Sequence, residues 1–340
     1  MFIPKRIIIE KDALEYEITQ QILDISKDKD DLEIINLNSN KFKQHIPGND
    51  LYSWYRESKK TLVIGTKKSL KFQTCKPSAH YQLPLVSGCM GHCEYCYLNT
   101  MLGDRPFIKV NANIDDILLQ AQKNIDERLP EITIFEGAAT SDPIPVEVYT
   151  HALEKSILFF GKNSNGKFRF VTKYNDVESL LNLEHNGNTE VRFSINTQRV
   201  IDEYEHYTAS CNKRLEASIK VAEAGYPMGY LIAPVFIYPN WKDEYHSLLL
   251  KLHEILPNDL KYPVTFEIIS HRYTMTAKGR INQVFPDNTL PMNEEDRKFK
   301  YGQFGYGKYM YPKENLDDIK QFFNKEIEEL FENKEVKYII

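Results

Sequence analysis

The sequence predicts an α/β protein organised on parallel β-α-β units, and three observations carry that prediction. From residue 80 onward, short apolar runs alternate with stretches of helical periodicity, as strands joined by crossover helices do. Hydrophobic residues make up 42% of the 340 residues and charged residues 27%, which supplies the apolar matter for a sizeable core. No internal repeat or low-complexity tract breaks the alternation.

Residues 1–75 read as a small N-terminal α/β accessory domain. Arg6-Ile7-Ile8-Ile9 predicts a strand, and Asp12 with Glu15 predicts a capping-box start to a helix. Leu14, Ile18, Ile22 and Ile25 fall on one face of that helix. Residues 32–37 and 61–65 are further strands, with turn chemistry at 46–50 between them. This segment carries no cofactor motif and reads as a packing or lid domain.

Residues 76–270 hold the alternation itself. Strands are expected at 82–87, 131–138, 168–173, 189–195, 228–235 and 263–269. The spacings Ile114/Ile117/Leu118/Ala121 and Leu215/Ile219/Ala222 predict helices, and further helices are expected over 145–160 and 241–256. After residue 270 cations interleave with aromatics. Gly302 to Tyr311 suggests a hairpin, and Leu316, Ile319, Phe323, Ile327 and Leu330 line one face of a closing helix. Residues 271–340 therefore form a C-terminal hairpin and helix extension.

A net charge of −5 excludes a protein coated in positive field. Any nucleic-acid contact must come from a local basic face. No apolar run approaches the ~18–20 residues that span a bilayer, and the first six residues lack a signal-peptide profile. Five cysteines, three of them clustered, speak for a reducing cytosol and against a disulfide scaffold. The expected location is cytoplasmic, with no membrane partner.

The clustered thiols are Cys89, Cys93 and Cys96, in a C-x3-C-x2-C spacing directly after the first expected strand of the alternation. Three neighbouring thiols cannot pair without leaving one over. As ligands they suit an iron–sulfur cube, which takes four, so that one iron would remain open. A zinc site completed by His92 is the competing reading, although no second ligand pair follows. The motif resembles that of the radical S-adenosylmethionine enzymes. That resemblance implies a [4Fe-4S] cluster, S-adenosylmethionine on the open iron, and a partial (β/α)6 TIM-type barrel. In such barrels the chemistry sits at the carboxyl ends of the strands.

The longer context narrows the family. It comprises Lys76-Pro77-Ser78-Ala79, Gly88 to Leu98, Ala138-Ala139-Thr140-Ser141-Asp142 and Phe170-Val171-Thr172-Lys173-Tyr174. Arg192-Phe193-Ser194-Ile195-Asn196 and Gly302-x-x-Gly305-x-Gly307-Lys308-Tyr309 complete it. In this order these segments resemble the spore photoproduct lyase family. The resemblance implies a DNA repair lyase for 5-thyminyl-5,6-dihydrothymine, the thymine dimer made by ultraviolet light in spore DNA. It also implies double-stranded DNA carrying that lesion as partner, an external electron donor, a monomer, and the spore core as location.

Residue by residue, the resemblance makes Cys89, Cys93 and Cys96 the cluster ligands. Ser141, Lys173, Ser194 and the Ala233 backbone fall where the family cradles S-adenosylmethionine. Tyr95 and Tyr97 match a tyrosine pair that relays a hydrogen atom. Arg272, Arg297, Lys298, Lys300, Phe304, Tyr306 and Lys308 are the expected DNA contacts, Phe304 being the wedge of the hairpin. Two positions depart from the family. Ala139 occupies the slot of the hydrogen-donating cysteine, and Gln303-Phe304 replaces a common Arg-Tyr. Alanine has no S–H to give, so Cys75, just upstream of Lys76-Pro77-Ser78, becomes the candidate donor, ahead of Cys211. A radical enzyme for another substrate and a non-catalytic iron–sulfur or zinc protein stay open at this level.

Overall fold

The computed structural model describes residues 2–27, 31–38, 41–301 and 307–340. They divide into two compact units. The first comprises residues 1–90, 101–172 and 176–190; the second comprises 91–100, 173–175 and 191–340.

In the first unit a five-stranded sheet runs in the order Glu33–Asn36, Arg6–Ile9, Thr61–Gly65, Ile108–Asn111, Val86–Ser87. The first four are parallel and the last is antiparallel. Arg6–Ile9 and Thr61–Gly65 are buried at every residue, which is why, after Arg6 and Thr61, their sequences are continuous apolar runs. The sheet recruits 86–87 and 108–111 from beyond the segment 1–75. The same unit holds Tyr81–Gln82, Thr133–Glu136 and Gly166–Thr172, parallel and in that order.

The second unit holds residues 191–195, Met228–Val235, Val264–Ser270 and Lys334–Ile339, all parallel and in that order. Helices Cys211–Glu223 and Trp241–Ile255 connect them. The closing helix Lys313–Leu330 buries Ile319, Phe323 and Ile327, on the face its spacing predicts.

Several elements differ from expectation. The strand at 82–87 is two short pieces that join different sheets, because Pro84 between them has no N–H for a ladder. The helix expected over 145–160 breaks at His151, whose φ of 47° is left-handed. It restarts there because the Glu147 carboxylate accepts from the N–H groups of Leu153 (2.8 Å) and Glu154 (2.9 Å). The first long helix starts at Glu17, with no side-chain cap and no capping box at Asp12. Of its expected apolar face, Ile18 and Ile22 are buried but Ile25 is exposed. A capping box does form at Asp50 and Ser53, opening the unforeseen helix Leu51–Ser58. Helix Met275–Val284 and strand Lys334–Ile339 were also not expected.

Gly88 fixes where the cysteine loop begins. Its φ is +81°, and a Cβ there would lie 2.2 Å from the Phe107 carbonyl oxygen. Its N–H donates to the Thr140 carbonyl at 2.9 Å. Gly88→Ala should lower stability by at least ~1–2 kcal/mol from the left-handed backbone alone, read as a fall in the urea midpoint.

Candidate active site

In the first unit the loop after Thr133–Glu136 carries Ala139, Thr140 and Ser141. Gly88 forms a parallel bridge to Ser141, so the cysteine loop leaves the sheet beside this loop. Ser141 is buried and its Oγ donates to the Gly137 carbonyl at 3.4 Å. Cys89 is half-buried, and Lys59 Nζ holds its carbonyl at 2.8 Å.

Glu136, at the end of the same strand and 3% exposed, was missed by sequence reasoning. One oxygen accepts from Ser78 Oγ at 2.8 Å and the other from the Ala138 N–H at 3.1 Å. Arg169 Nη1 donates to the Ser78 carbonyl at 2.8 Å. The turn that carries Cys75, closed by the Ala79 N–H on the Cys75 carbonyl at 3.1 Å, is thereby tied to the loop that carries Ala139. Cys75 itself is half-buried.

In the second unit Cys93 is buried and Cys96 half-buried. The Cys96 N–H donates to the Cys93 carbonyl at 3.1 Å, and Asn99 Nδ2 to the same carbonyl at 3.0 Å. His92–Cys93 pairs antiparallel with Glu205–His206, placing Glu205 opposite Cys93. The His92 ring lies 4.6 Å from that of Tyr207. Among the described residues, no three His, Cys, Asp or Glu side chains converge on a single metal-ion position.

That pairing delivers Glu205 into a buried polar cluster. Its Oε1 accepts from the Tyr95 hydroxyl and from Lys173 Nζ, the latter at 2.5 Å. Its Oε2 lies 2.6 Å from Arg214 Nη2. Arg214 is fully buried and also donates to the Ser194 carbonyl (2.9 Å), the Ala209 carbonyl (2.8 Å) and Thr208 Oγ1 (2.8 Å). Burial pushes the Glu205 carboxyl up, but Lys173 and Arg214 overcome this and hold it down at about 2. Burial, and then the neighbouring Glu205 charge, push the Tyr95 hydroxyl well above its ordinary value. Tyr95 therefore keeps its O–H.

Three expected residues thus share one network: Tyr95, Lys173 and, through its carbonyl, Ser194. Tyr97 is 56% exposed and stands apart in character from Tyr95. Ala233 lies where the ladder between Met228–Val235 and Val264–Ser270 skips from Ile232 to Val235. Glu205 and Arg214 had no sequence signal beyond their types, since Asp202-Glu203-Tyr204-Glu205 reads as a solvated charge run. Cys211, the lesser donor candidate, is buried as the first residue of helix Cys211–Glu223.

The hairpin is present as an antiparallel ribbon, Lys298–Tyr301 with Gly307–Met310. Lys300 is directly opposite Lys308, and Lys298 falls on the same face. Burial and then Arg272 lower the Lys308 ammonium. Phe304 and Tyr306 lie outside the described residues. Arg297 turns inward: it is 6% exposed, bonded to the carbonyls of His271 (2.9 Å) and Pro291 (2.7 Å), and 3.7 Å from the Tyr311 ring. This expected DNA contact therefore faces the interior, against Tyr311.

A family model for spore photoproduct lyase matches residues 2–340. The spore photoproduct lyase of Clostridium acetobutylicum is 50% identical over 336 residues, covering 99% of this chain and 98% of its own. That of Bacillus subtilis is 42% identical over 337 residues, with the same coverage. A solved spore photoproduct lyase complexed with dinucleoside spore photoproduct superposes with a TM-score of 0.95 at 42% identity, covering 99% of each chain. A solved variant with one cysteine-to-alanine and one serine-to-cysteine substitution, holding S-adenosylmethionine and dinucleoside spore photoproduct, also gives 0.95 at 42% identity. It covers 100% of this chain and 99% of its own. The α/β half-barrel class expected from the sequence is the class of these structures.

Glu205→Ala would strand two buried cations and should cost about 3–5 kcal/mol, read by urea unfolding. The folded carboxyl titrates at about 2 against an ordinary 4.5. Its contribution is therefore full above pH 4.5 and lost as pH falls through about 2. Glu205→Gln should flatten that acid limb.

Proposed function

We propose, on the premise that this chain belongs to the spore photoproduct lyase family, that it is a radical DNA repair lyase. It reverts the methylene-bridged thymine dimer of spore DNA to two thymines. The observation that carries the reading is the end-to-end match to relatives solved with the lesion dinucleoside, on a chain that keeps the three clustered thiols.

The donor set fits a [4Fe-4S] cluster. All five cysteines are outside disulfides, and the loop presents three soft thiol ligands, which leaves one iron for a non-protein ligand. Cys89, Cys93 and Cys96 would hold it. When bound, the cluster would supply the electron and S-adenosylmethionine the adenosyl group for removing a hydrogen atom from the lesion. The chain's residues do the rest. Lys173, already paired with one carboxylate, suits the carboxylate of S-adenosylmethionine. Ser141, Ser194 and the Ala233 backbone complete the cradle, the last favoured by its position in the skipped stretch of ladder.

Bridge cleavage leaves an allylic thymine radical. The Cys75 S–H gives it a hydrogen atom, the resulting thiyl takes one from a tyrosine O–H of the Tyr95/Tyr97 pair, and the tyrosyl so formed recovers from 5′-deoxyadenosine the hydrogen first removed from the lesion. Hydrogen-atom donation needs the thiol, not the thiolate, so no lowered pKa is required. The Glu136 bridge between the Cys75 turn and the Ala139 loop supports this shift of donor. The solved variant that gains a cysteine while losing one to alanine is a pairing of the same kind.

Like charges opposite each other weaken a β-ribbon, and Lys300 faces Lys308. Phosphate oxygens relieve that repulsion, so Lys298, Lys300, Lys308 and Arg272 form the DNA face, together with Phe304 and Tyr306. Extrusion of the lesion costs a few kcal/mol of unstacking, least at a damaged step. The enzyme works as a monomer in the cytoplasmic spore core with an external electron donor. Among the described residues, no helix is long and apolar enough to cross a membrane.

Anaerobic protein should be brown, with about four irons per chain, and should convert synthetic spore photoproduct dinucleoside to thymine. A colourless, iron-free protein defeats the reading. Cys75→Ala should lose most of its thymine yield while still consuming lesion; unchanged rate and product purity would place the donor elsewhere. Lys300→Ser or Lys308→Ser should each reduce the salt slope of duplex binding by about one.

A further inference from the structure

The first unit contains a cavity of about 470 Å³ that the catalytic reading leaves unused. One wall is the connection that leaves Thr61–Gly65 and runs without helix or strand to residue 74. Lys67 and Lys71 line it from this wall, and Ala139 and Thr140 line it from the other side. The wall is anchored at two points. Asn113 holds the Lys67 backbone on both sides, accepting its N–H at 2.8 Å and donating to its carbonyl at 3.3 Å. Phe72 is buried edge-on against Phe135, at 6.3 Å.

The charges in and beside this cavity are unequal in kind. Lys109 on the floor is neutralised, its Nζ bonded to both Glu10 oxygens at 2.9 and 2.8 Å. Gly65 makes room for that pair, since a Cβ there would lie 2.2 Å from Glu10 Oε2. Lys68 is 3.1 Å from Asp12. Among the described residues, Lys67 and Lys71 have no carboxylate within 4.0 Å. Two uncompensated ammonium groups therefore border a cavity that reaches the loop of Ala139, the slot of the family's hydrogen donor.

We infer that this cavity is a phosphodiester subsite for the lesion-bearing strand, with Lys67 and Lys71 as its cations. The inference rests on the repair reading for its location but not for its charge. The occupant is the backbone of the nucleotides flanking the dimer, a group that a dinucleoside lacks. An ammonium is a point charge that contacts phosphate without reading sequence. Binding through it is accordingly salt-sensitive and indifferent to base identity.

The test compares full-length protein with Lys67→Ser/Lys71→Ser on three substrates: lesion dinucleoside, a lesion duplex and the undamaged duplex. The double variant should turn over dinucleoside at the parent rate. It should bind both duplexes several-fold more weakly, with the slope of log K against log salt shallower by about two. Lys67→Arg/Lys71→Arg should restore affinity and slope. Unchanged duplex affinity and slope would show the two lysines to be solvated surface charges and overturn the subsite. Dinucleoside turnover lost along with duplex affinity would also overturn it, because the lysines would then act through the fold or the lesion itself. If the parent protein fails on dinucleoside, the repair reading falls, while a slope change on undamaged duplex still upholds the subsite.

Discussion

A single buried carboxylate organises the second unit. Glu205 has no exposed side-chain surface, yet it stays charged because Lys173 and Arg214 flank it and Tyr95 donates to it. Desolvating an ion costs several kcal/mol, and only close partners with further hydrogen bonds offset that. Arg214 meets the condition, since its remaining donors reach two carbonyls and a hydroxyl. Lys173 is the less buried of the two cations, with 19% of its side chain exposed against none for Arg214, so an arriving ligand carboxylate meets Lys173 first.

The same carboxylate shows why part of the site was legible in the sequence and part was not. Cysteines at short spacing announce themselves because few other arrangements need them, and the lysine and serine at strand ends follow from the motif context. Glu205 carries no such mark. It belongs to a charged stretch, and only the antiparallel pairing of His92–Cys93 with Glu205–His206 turns it inward. Glu136 is similar: a polar residue at the end of an apolar strand reads as exposed until Ser78 and Arg169 are found around it. The fold divides in the same way. A strand buried at every residue, such as Thr61–Gly65, is visible as an apolar run, and 189–195 as an alternation of Val191, Phe193 and Ile195 with polar neighbours. Lys334–Ile339 alternates charged and apolar residues, and only its pairing with Val264–Ser270 makes it a strand. The break at His151 was hidden because its cap is a glutamate from the preceding helix, not a glycine or proline.

Placing the hydrogen donor at residue 75 instead of 139 changes which part of the chain must be rigid. A donor in the strand-end loop is positioned by the sheet itself. A donor in the preceding turn needs that turn fixed to the same loop, and the Ser78–Glu136–Ala138 bridge does this with one carboxylate. Radical quenching by a thiol depends on approach and on a weak S–H bond, so the requirement on Cys75 is one of position. A hydrogen-bonded turn anchored by a buried glutamate meets it.

Electrostatics has to be argued locally in a chain of net charge −5. At ~0.1 M salt, charges more than about 10 Å apart are largely screened, so the acidic excess elsewhere neither attracts nor repels a phosphate at a given lysine. What matters is whether a cation has a carboxylate neighbour. Lys109 and Lys68 have one and Lys67 and Lys71 do not. On the ribbon, Lys300 is set against another lysine. Among the described residues, Lys67 and Lys71 are thus left to a counter-ion that is not protein. For an enzyme whose substrate is a damaged step in an otherwise ordinary duplex, that division of labour is economical: sequence-blind cations hold the backbone, and recognition of the lesion is left to the pocket.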